Sequence, residues 1–202
     1  MLAAVSGSQG AGKSTIIQQL MDLGYPVIQR KTSRSILSDW DVTLNQINED
    51  PELTMKFQDE ILKRKFMDEK DAINSAGIIF TERTYADLFT YALVSLGKNN
   101  RFDDWLNEYY FKCMKFQQSY DMVFYLTAGH FTPVADGVRG ANKHYSSMVD
   151  LTMREFTSQM TPGPRLNVIS TPVLRERTTI IDVQARATLQ RDHFALEMLG
   201  SL

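Results

Sequence analysis

The chain has a single cysteine, Cys113, among its 202 residues. That excludes an internal disulfide and any thiolate-built metal centre. Cys113 lies in YYFKCMKF, a helix-like stretch where it reads as core or surface filler rather than a nucleophile. The three histidines, His130, His144 and His193, lack metal-ligand spacing and read as surface residues. No apolar run approaches the ~20 residues of a membrane-crossing helix, and no charged stretch precedes the first apolar run as in a secretory leader. A cytoplasmic protein with no membrane partner is expected. Neither charge is in surplus: 22 Lys and Arg face 24 Asp and Glu, a formal charge of −2. Broad electrostatic binding to nucleic acid or anionic membrane is therefore disfavoured. Internal repeats, low-complexity tracts and linkers are also missing, and the length suits one full core rather than two.

What is present alternates. Residues 2–6 (LAAVS), 26–29 (PVIQ), 77–82 (GIIFTE), 121–127 (DMVFYLT) and 166–170 (LNVIS) are short, apolar and bounded by Gly, Asp or Pro, as buried strands are. Helical patterns lie between them at 14–22, 52–74, 84–97, 103–119, 145–159 and 174–190. In 52–74, Leu53, Phe57, Ile61, Leu62, Phe66 and Ile73 fall largely on one face, with Lys, Asp and Glu expected opposite. Strands alternating with helices predict an α/β, doubly wound, about five-stranded parallel sheet with helices on both faces. The domain is expected over 1–190, with a lid-like segment around 128–146 and a tail or short docking helix over 191–202. The aromatic helix YYFKCMKFQQSY could serve core packing or, alternatively, a homodimer face.

Directly after the first strand comes GSQGAGKST (7–15), which matches G-x-x-x-x-G-K-[ST] in the strand-then-helix context that the pattern requires. Gly7, Gly10 and Gly12, with Ala11 between, let the backbone wrap closely and aim its N–H groups at phosphate oxygens. The following helix adds its N-terminal dipole. Lys13 can reach the β- and γ-phosphates, the Ser14 hydroxyl can ligate Mg²⁺, and Thr15 completes the set. ATP or GTP with Mg²⁺ is the expected ligand. A guanine-reading N-K-x-D is missing: Asn142 and Lys143 are followed by His144 and Tyr145. The strand 77–82 ends in Glu82, a carboxylate beside the loop that can hold Mg²⁺, and Arg83 can face the phosphates or the acceptor.

Here the chain resembles the P-loop nucleoside and nucleotide kinases. Glu82, Arg83 and Thr84 are similar to the E-R-S motif of the deoxynucleoside kinase branch. With Asp87 and Tyr91 they also resemble the D-R-x-x-x-D-x-x-x-Y form of the nicotinamide riboside kinase-like branch. A blend of this kind resembles a phage-type deoxynucleotide kinase. The segment Asp136-Gly137-Val138-Arg139 is similar to the D-G-x-R lid of riboside-kinase-like proteins. The resemblance implies that Arg139, with Lys143 or Arg154, neutralises charge on the phosphoryl group in transfer. Phe57 and Gln58 resemble a Phe-Gln pair of deoxynucleoside kinases, which implies that Gln58 reads the acceptor base. The stretch after the last strand, with Thr171, Pro172 and Arg177, sits where the superfamily's adenine loop lies.

The acceptor side departs from the nucleoside kinases. After the second strand, where they place a general base, this chain reads VIQRKTSRS (27–35): no carboxylate, but Arg30, Lys31 and Arg34 together. An acceptor that already carries a phosphate needs no strong base and does need a cationic clamp. The expected reaction is ATP-dependent phosphoryl transfer to a (deoxy)nucleoside monophosphate. Arg34 and Arg30 would clamp its phosphate, and Gln58, Arg83 and Asp87 would join the acceptor site. The alternatives are a nucleoside or nicotinamide riboside kinase with Asp39, Asp41 or Glu82 as base, a kinase of a hydroxyl in DNA, or a non-enzymatic ATP-responsive binding module.

Overall fold

Each of the five apolar segments becomes a strand in the computed structural model, which describes residues 1–28, 32–73, 75–129 and 143–200. The strands are β1 (Leu2–Ser6), β2 (Val27–Ile28), β3 (Ile79–Glu82), β4 (Met122–Leu126) and β5 (Leu166–Ile169). They form one parallel sheet in the order β2-β3-β1-β4-β5. Helices α1 (Lys13–Asp22), α2 (Thr32–Trp40), α3 (Leu44–Glu49), α4 (Pro51–Glu69), α5 (Tyr85–Leu96), α6 (Asp103–Gln117), α7 (Lys143–Met160) and α8 (Leu174–Gly200) connect and follow them. Arg30, Lys31, His130 and the segment 136–139 with Arg139 lie outside the described residues.

Alternation along β1 divides the core. Leu2 and Ala4 face a cluster built with α4, α5 and α6, through Phe57, Leu62, Phe89 and Tyr109. Ala3 and Val5 face the other side, where Ile16, Ile17 and Leu20 of α1 meet Ile181 and Ala185 of α8. A central parallel strand covered on both faces must be apolar throughout, which is why LAAVS carries no alternation. The aromatic stretch of α6 turns inward, with Tyr109 and Cys113 fully buried, while Phe111 stays exposed. His144 and His193 are exposed, as expected.

Local chemistry sets the boundaries. Pro51 opens α4, and the Asp50 side chain accepts from the N–H groups of Glu52 and Leu53. Helix α3, not expected from the sequence, is held by a capping box between Thr43 and Gln46. Thr84 caps α5 by accepting from the Asp87 N–H. Helix α8 runs through Arg191 without a break. Among the described residues, no helix is long and apolar enough to cross a membrane.

One expectation about α4 is corrected. Its charged residues do not all lie opposite the core: Lys65 and Glu69 are buried along with Phe57, Ile61 and Leu62. They are tolerated there because they neutralise each other, with Lys65 Nζ 2.5 Å from Glu69 Oε1.

Candidate active site

Parallel pairing sets Val5 of β1 against Glu82 of β3, so the glycine loop and the strand-end acid emerge side by side at the carboxyl edge of the sheet. Gly7 has φ +141, and a Cβ there would lie 2.6 Å from the Leu126 carbonyl oxygen, so no other residue fits. Gly12 (φ +87) is the N-cap of α1 and contributes no side chain to it. The first-turn N–H groups of α1 are thereby left for an anion. Lys13 is buried, and its Nζ donates to the carbonyls of Gly7 (2.6 Å) and Ser8 (2.8 Å). Burial, followed by the charge of Arg83, draws its pKa below the ordinary lysine value.

The corner after β3 is under strain. Arg83 has φ +68, uncommon for a residue with a side chain, while its N–H donates to the Val5 carbonyl at 2.9 Å. Its guanidinium lies 5.3 Å from the Tyr91 ring centroid. Burial pulls the Arg83 pKa down, but Tyr91, Asp87 and Glu82 more than offset this and raise it overall. Asp87 is fully buried beneath the corner, where its Oδ1 accepts from Ser6 Oγ (2.5 Å) and Thr84 Oγ1 (2.7 Å). It ties β1 to the start of α5 and does not line the cavity described next.

A cavity of about 820 Å³ joins these parts. Lys13, Ser14 and Thr15 form one end, with Glu82, Arg83 and Tyr91 beside them. Arg34 and Leu37 of α2 and Phe57, Gln58 and Ile61 of α4 line the cavity further from the loop. Tyr145, Ser146 and Val149 of α7 add a further wall. Gln58 is buried, and its Oε1 has no hydrogen-bond partner among the described residues. A buried amide left open in a cavity is a ready contact for a ligand.

The sequence model of the AAA domain family matches residues 2–171. The chain belongs to this family. No curated protein sequence gives a significant match. Among solved structures, deoxyadenosine kinase from M. mycoides with bound dATP is similar at TM-score 0.70 and 20% identity, covering 91% of this chain and 98% of that one. The same kinase with products dCMP and a flexible dCDP bound is similar at TM-score 0.67 and 20% identity, covering 93% and 100%. NadR in complex with NR is similar at TM-score 0.59 and 15% identity, covering 83% of this chain and 45% of that one. At these identities the likeness shows a shared P-loop kinase fold.

Two groups in this AAA-domain chain were not visible as site residues in its sequence. Behind Glu82, the Lys65 ammonium donates to Glu69 Oε1, to Thr81 Oγ1 (3.3 Å) and to the Glu82 carbonyl (3.2 Å). Thr81 Oγ1 (2.6 Å) and the Tyr120 hydroxyl (3.0 Å) donate to the same Glu69 carboxylate. On the other flank, Ser8 Oγ donates to Asp150 of α7 at 2.8 Å, and the Tyr125 hydroxyl donates to the same carboxylate oxygen at 3.0 Å. An i,i+4 Lys-Glu pair and an isolated Asp look like surface residues until tertiary packing is known.

Of the other expected residues, Arg177 is fully buried and donates to backbone carbonyls rather than lining the cavity. Asp39 is half-exposed and paired with Arg64 at 2.6 Å, and neither it nor Asp41 lines the cavity. Ser14 and Glu82 both line it, the pair expected for Mg²⁺. Among the described residues no cluster of three His, Cys, Asp or Glu could hold a metal unaided.

Proposed function

We propose that the chain is an ATP-dependent kinase that transfers the γ-phosphoryl group to a (deoxy)nucleoside monophosphate. The observation that carries this reading is the single cavity in which the phosphate loop, Glu82 with Arg83, and an apolar slot bearing Gln58 and Arg34 face one another. A pure ATP switch needs no such second slot. The acceptor base lies between Phe57 and Leu37, with Gln58 on its edge, and Arg34 holds the phosphate it already carries. From the sequence alone, Arg30 and Arg139 are further candidate cations for the acceptor phosphate and the transferring group. Lys13 and Arg83 stabilise the charge that develops on the transferring group. Ser14 and Glu82 would hold Mg²⁺, which would supply positive charge to the phosphates in transfer. The reaction takes place in the cytoplasm, where ATP and nucleotides are abundant.

The carboxylates favour a phosphorylated acceptor. Those that line the cavity are Asp68, Glu69 and Glu82. Glu69 is bound by Lys65, Thr81 and Tyr120, and Glu82 is the one beside the phosphate loop. With Glu82 on the metal, the carboxylates left along the described cavity wall are Asp68 and the already bonded Glu69, whereas a monophosphate is already ionised and needs no base.

A nucleoside acceptor is the second reading, and the likeness to deoxyadenosine kinase and to NadR with bound NR favours it. In that case Glu82 acts as the base. The deciding experiment is a coupled ADP-release screen over nucleosides, their monophosphates and a short DNA oligomer. ADP release with monophosphates supports the first reading. Turnover of nucleosides with monophosphates ignored overturns it.

A further inference from the structure

Arg177, in the first turn of α8, is 0% exposed and lies behind the phosphate loop. Its guanidinium reaches three separate connections. Nη1 donates to the Ala11 carbonyl at 2.8 Å, Nη2 to the Thr127 carbonyl at 3.2 Å and Nε to the Thr171 carbonyl at 2.5 Å. Ala11 belongs to the phosphate loop, Thr127 follows β4, and Thr171 follows β5. A planar guanidinium fixes the relative placement of its acceptors, which a lysine's freely rotating point charge does not.

We infer that Arg177 is a positioning residue for triphosphate binding: by holding the Ala11 carbonyl it turns the Gly12 N–H into the cavity. The inference rests on the phosphate loop holding a nucleotide triphosphate. The geometry follows from the peptide bond. In a planar trans peptide the carbonyl and the next residue's N–H point in opposite directions. With the Ala11 carbonyl anchored behind the loop, the Gly12 N–H of that peptide faces the other way. The burial pattern agrees: Ala11 is fully buried and off the cavity wall, while Gly10 and Gly12 line it. Arg177 thus serves the donor phosphates without touching them, and it presents no surface to an adenine ring. Thr171 is drawn in from the same side, since its hydroxyl donates to Glu176 at 2.5 Å.

The test compares binding of Mg-ATP, inorganic tripolyphosphate and AMP to the wild-type chain, Arg177→Lys and Arg177→Met, with thermal melts to verify folding. Loss of one charged, buried hydrogen bond corresponds to about tenfold in affinity or more. Mg-ATP and tripolyphosphate are expected to weaken together by that factor in Arg177→Met, with Arg177→Lys between and AMP little changed. Equal loss for ATP and AMP with tripolyphosphate unaffected overturns the proposal in favour of an adenine contact. Unchanged affinities overturn it as well. A wild-type chain that binds neither ATP nor tripolyphosphate sinks the nucleotide reading itself, whereas wild-type binding with indifferent variants sinks this proposal alone. Should neither variant fold, the Gly12 amide of the ¹⁵N-labelled wild type decides. It is expected to shift on tripolyphosphate addition, and an unresponsive Gly12 amide overturns the proposal.

Discussion

Lys65 of α4 donates to the backbone carbonyl of Glu82, 3.2 Å away across the inner end of the cavity. The residue after Glu82 is strained, at φ +68, and such a conformation persists only where its surroundings hold it. Lys65 supplies part of that hold, and Glu69 supplies the charge that lets Lys65 stay buried. Lys65→Met is expected to destabilise the fold by about 3–5 kcal/mol, because Glu69 is left buried without its cation. Adding Glu69→Gln removes the stranded charge and should recover most of that stability. Turnover should stay low in the double variant, since the Glu82 carbonyl still lacks its donor. Chemical denaturation paired with ADP-release rates separates the two effects, and full recovery of turnover would contradict the positioning role.

Gly7 should tolerate no side chain. A Cβ meets the Leu126 carbonyl oxygen at 2.6 Å, on a backbone at φ +141. Gly7→Ala must move either the loop or the end of β4, at about 1–3 kcal/mol for the backbone strain alone. A lowered melting temperature together with lost ATP binding is expected. Wild-type affinity in a folded Gly7→Ala variant would show that the loop holds phosphate in some other shape.

Gln58 should trade stability against function. Its Oε1 is buried without a partner among the described residues, a state that costs about 1–3 kcal/mol in the ligand-free protein. Gln58→Leu is therefore expected to be neutral or stabilising in denaturant melts while raising the acceptor KM and leaving the ATP KM unchanged. A destabilised variant with an unaltered acceptor KM would mark Gln58 as ordinary core.

The five strands were legible because central parallel strands must be apolar on both faces, and GSQGAGKST because its glycines answer to backbone geometry that only glycine adopts. Both signals are local. Helix α3 escaped notice because LNQINE is short and largely polar, and the capping box and the buried Ile47 that hold it carry no helical periodicity. Lys65, Glu69, Asp150 and the placement of Arg177 were illegible for a different reason. Their partners are brought close by packing, and the Arg177 contact with Ala11 spans 166 positions of sequence. Asp39 shows the converse: as a candidate base it was plausible by position, but its Arg64 partner holds it on the surface.

Lys13 gives ATP binding a pH dependence with a definite sign. Its folded pKa is lowered from 10.5, by burial first and Arg83 second. The phosphates attract the protonated amine, so affinity for ATP should fall as pH rises through the lowered pKa, beginning below 10.5. The ligand-free protein responds in the opposite direction. Between the folded and unfolded pKa values the unfolded chain binds more protons, so the Lys13 contribution to stability grows with pH. Binding titrations and melts from neutral to alkaline pH, each referenced to Lys13→Met, should therefore slope in opposite directions. Parallel slopes would mean that Lys13 is not the group that titrates. Lys13→Ala is expected to abolish turnover and leave the fold intact.

Arg34 decides between the two acceptors. It lies on the cavity wall at the first turn of α2, where a cation opposes the helix dipole. A charge-assisted, two-pronged contact with a phosphate is worth about 1.5–3 kcal/mol, so Arg34→Ala should raise the monophosphate KM about tenfold to a hundredfold. The ATP KM should not move, because the donor loop is at the opposite end of the cavity. Arg34→Lys keeps the charge but not the fork, and it should fall between the two. A nucleoside has no phosphate for Arg34 to hold, so turnover of a nucleoside would be nearly indifferent to the substitution. If Arg34→Ala leaves the monophosphate KM unchanged, the acceptor phosphate is held elsewhere or is not there, and the nucleoside reading with Glu82 as base takes over.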